Sequence, residues 1–136
     1  MSEFGDIVQA HFRFLIEDYP FALTSGDAPV RYDSPPVYIE IWAGSGDTDL
    51  LFGAKVDTEI MRPYMPHVFS IAEVVRYYKS GPFPRFDAFP ETPGVSGVER
   101  YVMYLVMLTK RYCREVLAGD VRALEALSRD RGATKP

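Results

Sequence analysis

The side chains best suited to catalysis or metal binding are two histidines, His11 and His67, and the single cysteine, Cys113. A zinc site needs three or four nitrogen or sulfur ligands, and the sequence supplies no such set at close spacing. Arg111 and Arg114 would lower the pKa of Cys113, but no histidine lies near it in the sequence to act as a base. We therefore expect structural roles for all three residues, with no metal and no cofactor.

Motifs that specify a reaction are missing from the chain. It contains neither a phosphate-binding glycine loop nor a dinucleotide fingerprint, and no serine lies in a nucleophile-elbow pattern. Glu17, Asp18 and Glu40 have the chemistry for acid–base catalysis, but nothing in the sequence converges on them. We expect a protein that is not an enzyme.

The stretch VYIEIW offers a binding surface rather than a catalytic centre. Alternate side chains of a strand point to opposite faces, so Tyr38, Glu40 and Trp42 share one face. If helices cover the other face, these three lie exposed beside Arg31 and Lys55, and Trp, Tyr and Arg dominate binding interfaces. These five residues are the candidate partner-binding site. The alternative is a sheet covered on both faces, with Trp42 in a second core.

Acidic residues are concentrated in one part of the chain, whose net charge is −4. Between residues 17 and 59, only Arg31 and Lys55 oppose a set of carboxylates: Glu17, Asp18, Asp27, Asp33, Glu40, Asp47, Asp49, Asp57 and Glu59. Such a field repels nucleic acid and attracts basic proteins, so we expect a basic protein partner. Ordinary solubilising charge is the alternative interpretation.

One uncharged run, YVMYLVMLT, lies between Arg100 and Lys110. It is too short for a membrane, because a spanning helix needs about 20 apolar residues. Capping residues Ser96 and Glu99 precede it, and Gly119 follows it, which predicts a buried central helix over residues 97–117. The N-terminal MSEFGDIVQA has acids where a secretory signal needs bases, so we expect neither secretion nor membrane association.

The remaining periodicity predicts an α+β fold in a single domain over residues 1–136, with a frayed tail over 130–136. Helical spacing over residues 3–19 predicts one N-terminal helix. Alternation over residues 21–57 predicts an antiparallel sheet of three or four strands, and residues 58–69 read as irregular. Two or three helices follow the sheet.

Local signals refine the C-terminal half. Ser70 and Glu73 form a capping box that starts a helix, and Asp120 can cap the last helix. The proline-rich loop at residues 81–94 carries three phenylalanines that we expect to pack on the core: Phe83, Phe86 and Phe89.

Three stretches together resemble a family: FRFLIEDYPFAL at 12–23, VRYDSPPVYIEIW at 30–42 and VERYVMYLVMLTKRYCREVLAGDVRALEAL at 98–127. They resemble small bacterial proteins whose pattern is similar to that of immunity proteins encoded beside polymorphic toxins, over about half of the chain. The resemblance implies an α+β fold, a bacterial cytoplasmic setting, no enzyme activity and a protein partner, such as a toxin domain. It implies no catalytic residue.

Two other functions remain open from the sequence. One is an enzyme of unrecognised class with a pocket lined by His11, Tyr38 or Glu40, and the other is a small-ligand module that uses the aromatic loop at 83–89. A deep pocket with converging titratable groups would favour the enzyme. A flat acidic face would favour the binding protein.

Overall fold

The computed structural model describes residues 3–27, 29–43, 48–54, 68–91 and 93–134. Its helices, in chain order, are α1 (Glu3–His11), α2 (Phe14–Glu17), α3 (Ile71–Tyr78), α4 (Gly97–Tyr112), α5 (Arg114–Leu117) and α6 (Arg122–Thr134). Its strands are β1 (Ala22–Gly26), β2 (Val30–Asp33), β3 (Val37–Ala43), β4 (Thr48–Ala54) and β5 (Val68–Ser70). The predicted α+β fold is confirmed.

The strands form one antiparallel sheet in the order β1-β2-β3-β4-β5, a meander in which each strand pairs with the next along the chain. The prediction of three or four strands missed β5, which has only three residues. Such a strand is too short to show alternation, and it runs directly into α3, whose capping box begins at Ser70.

Alternation in β3 divides the sheet into two faces. Val37, Ile39 and Ile41 are fully buried, and the central helix α4 covers this inner face with buried Leu105 and Leu108. The predicted burial of α4 is confirmed. Burial of each such side chain contributes about 1.5–3 kcal/mol, so this inner layer supplies a large share of the driving force for folding.

The N-terminal helix is broken where one continuous helix was predicted. The Leu15 amide donates to the Phe12 carbonyl at 3.0 Å, a tighter turn than an α-helix makes. In a straight helix Phe12 and Phe14 would point about 200° apart, and only one of them could reach the core. The break lets both bury, with their rings stacked at 5.8 Å.

The predicted helix over 97–117 is also interrupted, at Cys113, whose dihedral angles (φ −111°, ψ 18°) leave the helical region. One turn earlier, the Thr109 hydroxyl donates to the Leu105 carbonyl at 2.7 Å, a bond that bends helices. Gly119 follows α5 with φ +101°, which confirms the prediction that this glycine ends the helix. The backbone of α6 is helical to Thr134, and fraying of the tail stays a prediction.

The proline-rich loop is tied to α4, as expected for a segment packed on the core. The Arg100 side chain donates to the carbonyls of Phe86, Phe89 and Pro90, and its guanidinium lies over the Phe86 ring at 4.4 Å. All three loop phenylalanines pack against buried residues. The Tyr104 hydroxyl also donates to the Pro84 carbonyl, so side-chain hydrogen bonds from α4 hold the loop in place.

We expect Leu108→Ala to lower the free energy of unfolding by about 2–5 kcal/mol, because it leaves a cavity under the inner face. The matched control is Val98→Ala on the same helix, since Val98 is 47% exposed and should change stability by less than about 0.5 kcal/mol. Urea denaturation followed by circular dichroism measures both. Equal effects would contradict the placement of α4.

Candidate functional site

The candidate site is the outer face of the sheet, opposite the helices, and strand register brings its residues together. Arg31 on β2 lies directly across from Glu40 on β3, and Tyr38 lies between Asp33 on β2 and Gly53 on β4. Directly opposite residues in antiparallel strands share a face and approach within about 5.5 Å. Three strands therefore present one continuous set of charged and aromatic side chains.

Arg31 is the centre of this face. Its guanidinium donates to both carboxylate oxygens of Asp33, at 2.9 and 3.1 Å, and to Glu40 Oε2 at 3.2 Å. The side chains of Asp33 and Glu40 are only 14% and 18% exposed, so these charge-assisted bonds are shielded from water. One cation is shared by two carboxylates, which leaves the trio with a net negative charge.

Two further bonds extend the network across the face. The Trp42 indole N–H donates to Glu40 Oε1 at 3.2 Å, and the Thr24 hydroxyl donates to Asp33 Oδ1 at 2.5 Å. Trp42 keeps 42% of its surface exposed, so it is not part of a second core. The network thus runs from β1 to β3 and ends at an exposed indole ring held by one hydrogen bond.

Tyr38 lies flat across the backbone of β4 at Gly53. A Cβ atom added at Gly53 would lie 2.0 Å from Tyr38 Cζ, so only glycine leaves room for the ring there. The Arg31 guanidinium lies over the ring, 3.9 Å from its centroid. Tyr38 therefore contacts both the backbone of β4 and the cation of Arg31.

Ionisation follows from these contacts. The hydrogen bond to Asp33 raises the pKa of Arg31, against the opposing effect of burial. Burial raises the pKa of Tyr38, and the Glu40 charge raises it further. Both groups therefore stay protonated at neutral pH, and neither can act as a general base.

Four of the five sequence-predicted site residues come together on this face: Arg31, Tyr38, Glu40 and Trp42. The fifth, Lys55, lies outside the described residues. Sequence reasoning missed the roles of Asp33 and Gly53. The alternation of VRYD placed Asp33 beside Arg31, a signal that was available; the role of Gly53 depends on strand register, which alternation alone does not fix.

The enzyme alternative named a pocket lined by His11, Tyr38 or Glu40, and the structure places His11 away from the other two residues. His11 lies on α1, and its Nε2 pairs with Glu99 Oε2 on α4 at 2.7 Å, on the helical side of the sheet. Glu99 completes only half of the expected capping box: its amide bonds the Ser96 hydroxyl, while its carboxylate reaches the histidine. The pair thus joins two helices.

Three shallow hollows lie away from the outer face. One, of about 260 Å³, is lined by Glu3, Phe4, Ile7, Ser96 and Val98. A second, of about 320 Å³, is lined by Gln9, Ala10, Arg13, Ile16, Leu23 and Tyr32. The third, of about 260 Å³, is lined by Pro84, Arg85, Ala88, Phe89, Pro90, Met107 and Arg111. The first hollow holds a hydroxyl and a carboxylate, Ser96 and Glu3, but the Ser96 hydroxyl accepts the Glu99 N–H as the N-cap of α4.

Cys113 is fully buried, and burial raises the pKa of its thiol to about 12. The neighbouring charge of Glu115 adds to the shift, so the arginines that flank Cys113 in sequence do not activate it. Since the thiolate is the nucleophile, this side chain packs as a small hydrophobe. Its predicted structural role is supported.

The described part of the chain offers neither a metal site nor a membrane-spanning helix. No three His, Cys, Asp or Glu residues there are grouped so as to hold a metal ion. Among those same residues, every helix is too short or too polar to cross a bilayer. His67 lies outside the residues that the structure describes.

Comparison with protein-family models, with curated protein sequences and with solved structures finds no match to this chain.

We expect Gly53→Ala to displace the Tyr38 ring from β4 and from Arg31, and to lower the free energy of unfolding by about 1–3 kcal/mol through overpacking. The ring-current shift of the Arg31 Nε proton, measured by NMR, should decrease at the same time. Gly97→Ala is the matched control, because a Cβ there meets no atom within 4 Å. A Gly53→Ala variant that keeps both the shift and the stability would contradict this arrangement.

Stability should fall with rising pH because the folded pKa of Cys113 lies above its unfolded value of about 8.5. Its stabilising contribution is complete below about pH 8.5 and is lost as pH rises toward 12. Between about pH 7 and 10, urea denaturation should show a loss of about 2 kcal/mol from this group. Cys113→Val should remove that loss and retain the contributions of Tyr32 and Tyr78, whose pKa values are also about 12. An unchanged pH dependence would contradict burial of the thiol.

Proposed function

We propose that this protein is a non-catalytic binding protein that docks a basic protein partner on the outer face of its sheet. The observation that carries the proposal is the fixed network of Arg31, Asp33, Glu40 and Trp42, which ends in an exposed aromatic ring. Hydrogen bonds and stacking hold these side chains before any partner arrives, so little rotamer entropy remains to be lost on binding. Tryptophan, tyrosine and arginine are also the usual hot-spot residues.

Charge on this face favours a basic partner. Arg31 is the cation of the network, and the carboxylates of Asp33, Glu40 and Asp49 outnumber it. A Lys- or Arg-rich surface would be attracted from a distance to this excess of negative charge. Nucleic acid, which is polyanionic, would be repelled.

The resemblance to immunity proteins of polymorphic toxin systems supports the same function. An immunity protein neutralises its toxin by covering it and needs no catalytic group of its own. We therefore propose a bacterial cytoplasmic protein whose partner is a basic toxin domain. Glu40 and Tyr38, which an enzyme would need as acid or base, are held by Arg31 in this network.

The partner can be isolated by capture on the immobilised protein from a lysate of the source organism, then purified for binding measurements. We expect Trp42→Ala to weaken its affinity by on the order of 2 kcal/mol, about thirtyfold, because a hot-spot contact is lost. Thermal stability should change little, since Trp42 is 42% exposed. Association should slow as salt rises, because the Debye length falls from about 10 Å at 0.1 M to about 3 Å at 1 M.

Tyr77→Ala is the matched control, since Tyr77 is an equally exposed aromatic residue (48%) on α3, away from the outer face. It should leave the affinity unchanged. If Trp42→Ala and Tyr77→Ala bind the partner equally, the outer face is not the interface. A collapse in melting temperature for Trp42→Ala would show instead that Trp42 belongs to the core.

A further inference from the structure

Strand β1 differs from the other strands in having all five of its residues exposed. It is the first strand in the sheet order, and in the described part of the chain it pairs with β2 alone. Its other edge therefore presents backbone N–H and C=O groups that a further strand can pair with.

Most of the usual protection against strand addition is missing from β1. Edge strands are commonly guarded by charged residues or proline, and the sequence ALTSG contains neither. A bulge lies between Leu23 and Ser25, and the Gln9 side-chain amide donates to the Gly26 carbonyl at 3.1 Å, so the edge is guarded in part at its C-terminal end. The Thr24 hydroxyl within that bulge bonds both the Arg31 carbonyl and Asp33, so the bulge is anchored to β2.

A hollow of about 320 Å³ lies beside β1 on the helical side, between the strand and the α1–α2 break, and Gln9 and Arg13 line it together with apolar side chains. Two of its lining residues, Ile16 and Leu23, are 49% and 37% exposed. These side chains can receive every second residue of an added strand, because alternate side chains of that strand point to one face.

The other side of β1 is continuous with the outer face, through the bond from Thr24 to Asp33. Glu17 and Asp18, both exposed, come directly after Ile16 in the sequence, and Arg13 pairs with Glu17 at 3.5 Å. An added strand would thus meet Ile16 and Leu23 on the helical side, where Glu17 and Asp18 also lie, and on the outer side it would approach Asp33, which Arg31 already binds.

We propose that β1 recruits an extended segment of the protein partner, which adds a sixth strand to the sheet by backbone pairing. The segment alternates apolar residues, which enter the hollow beside Ile16 and Leu23, with basic residues, which lie near Asp33. This inference rests on the proposed binding function and gives it a mode of recognition. A second copy of this chain fits less well, because pairing two β1 edges would bring Glu17 and Asp18 toward their own copies.

The probe is an acetylated and amidated peptide of about seven residues that alternates lysine and valine. Its binding is followed by NMR shifts and by hydrogen exchange of the β1 amides. The control peptide has the same side chains and N-methyl groups on alternate amides, so it cannot pair with the strand edge. We expect the probe to slow exchange in β1, and the control to bind at least about tenfold more weakly because backbone hydrogen bonds are lost.

Two protein variants test whether the probe binds at the β1 edge or at any exposed apolar surface. Leu23→Lys places a charge over the hollow and should abolish probe binding, while Val98→Lys, a change at a similarly exposed site on α4, should not. Equal binding of probe and control peptides would overturn the proposal. A second set of results would also overturn it: the free protein dimerises, Leu23→Lys abolishes the dimer, and the probe peptide does not bind. Those results would assign the β1 edge to a second copy of the chain.

The same variants distinguish this inference from the proposed function. With the purified partner, a loss of affinity for Trp42→Ala and none for Leu23→Lys would leave the outer-face interface in place and reject strand addition. No loss for either variant would reject both. We expect Leu23→Lys to weaken the affinity for the partner by at least about tenfold, since it removes both the apolar contact and access to the edge.

Discussion

The alternation of β3 is the constraint on which the rest of the structure depends. Val37, Ile39 and Ile41 are buried completely, and a strand that buries these must turn Tyr38, Glu40 and Trp42 to the opposite face. A slip of one residue would exchange the two sets and expose the core. The same register that closes the hydrophobic core against α4 therefore assembles the outer face.

This register places charged and aromatic side chains on the outer face, partly shielded from water. Charged groups in such a position need hydrogen-bond partners. Arg31 meets this need by bonding two carboxylates at once and stacking on Tyr38, which in turn lies on Gly53. A face organised in this way is held by its own hydrogen bonds, so a protein surface that docks on it would cost little side-chain entropy.

Features that depend on local sequence were predictable. Alternation identified the inner and outer residues of β3, a serine and a glutamate three residues later marked the start of α3, and an uncharged run flagged α4. Features that depend on tertiary competition were not. The spacing of Phe12 and Leu15 also fits an unbroken helix, and only the need to bury Phe14 as well explains the break.

The candidate site was predictable only where it depends on local alternation. The outward set of Tyr38, Glu40 and Trp42 follows from period two, whereas the pairing of Arg31 with both Asp33 and Glu40 requires the register of β2 on β3. Turn residues between those strands constrain that register, but a proline pair such as Pro35–Pro36 does not specify a single hairpin. The exposure of β1 likewise depends on where the sheet ends, which no local pattern records.

Trp42 is the only tryptophan in the chain, so its fluorescence reports directly on the outer face. The central claim is that this face is open and acidic in the free protein. Quenching of the native protein by caesium and by iodide, at matched ionic strength, tests both parts at once. We predict solvent-exposed emission that caesium quenches more effectively than iodide, because Glu40 and Asp49 lie beside the indole. Blue-shifted emission that neither ion quenches would show that the face is covered, and would contradict the account.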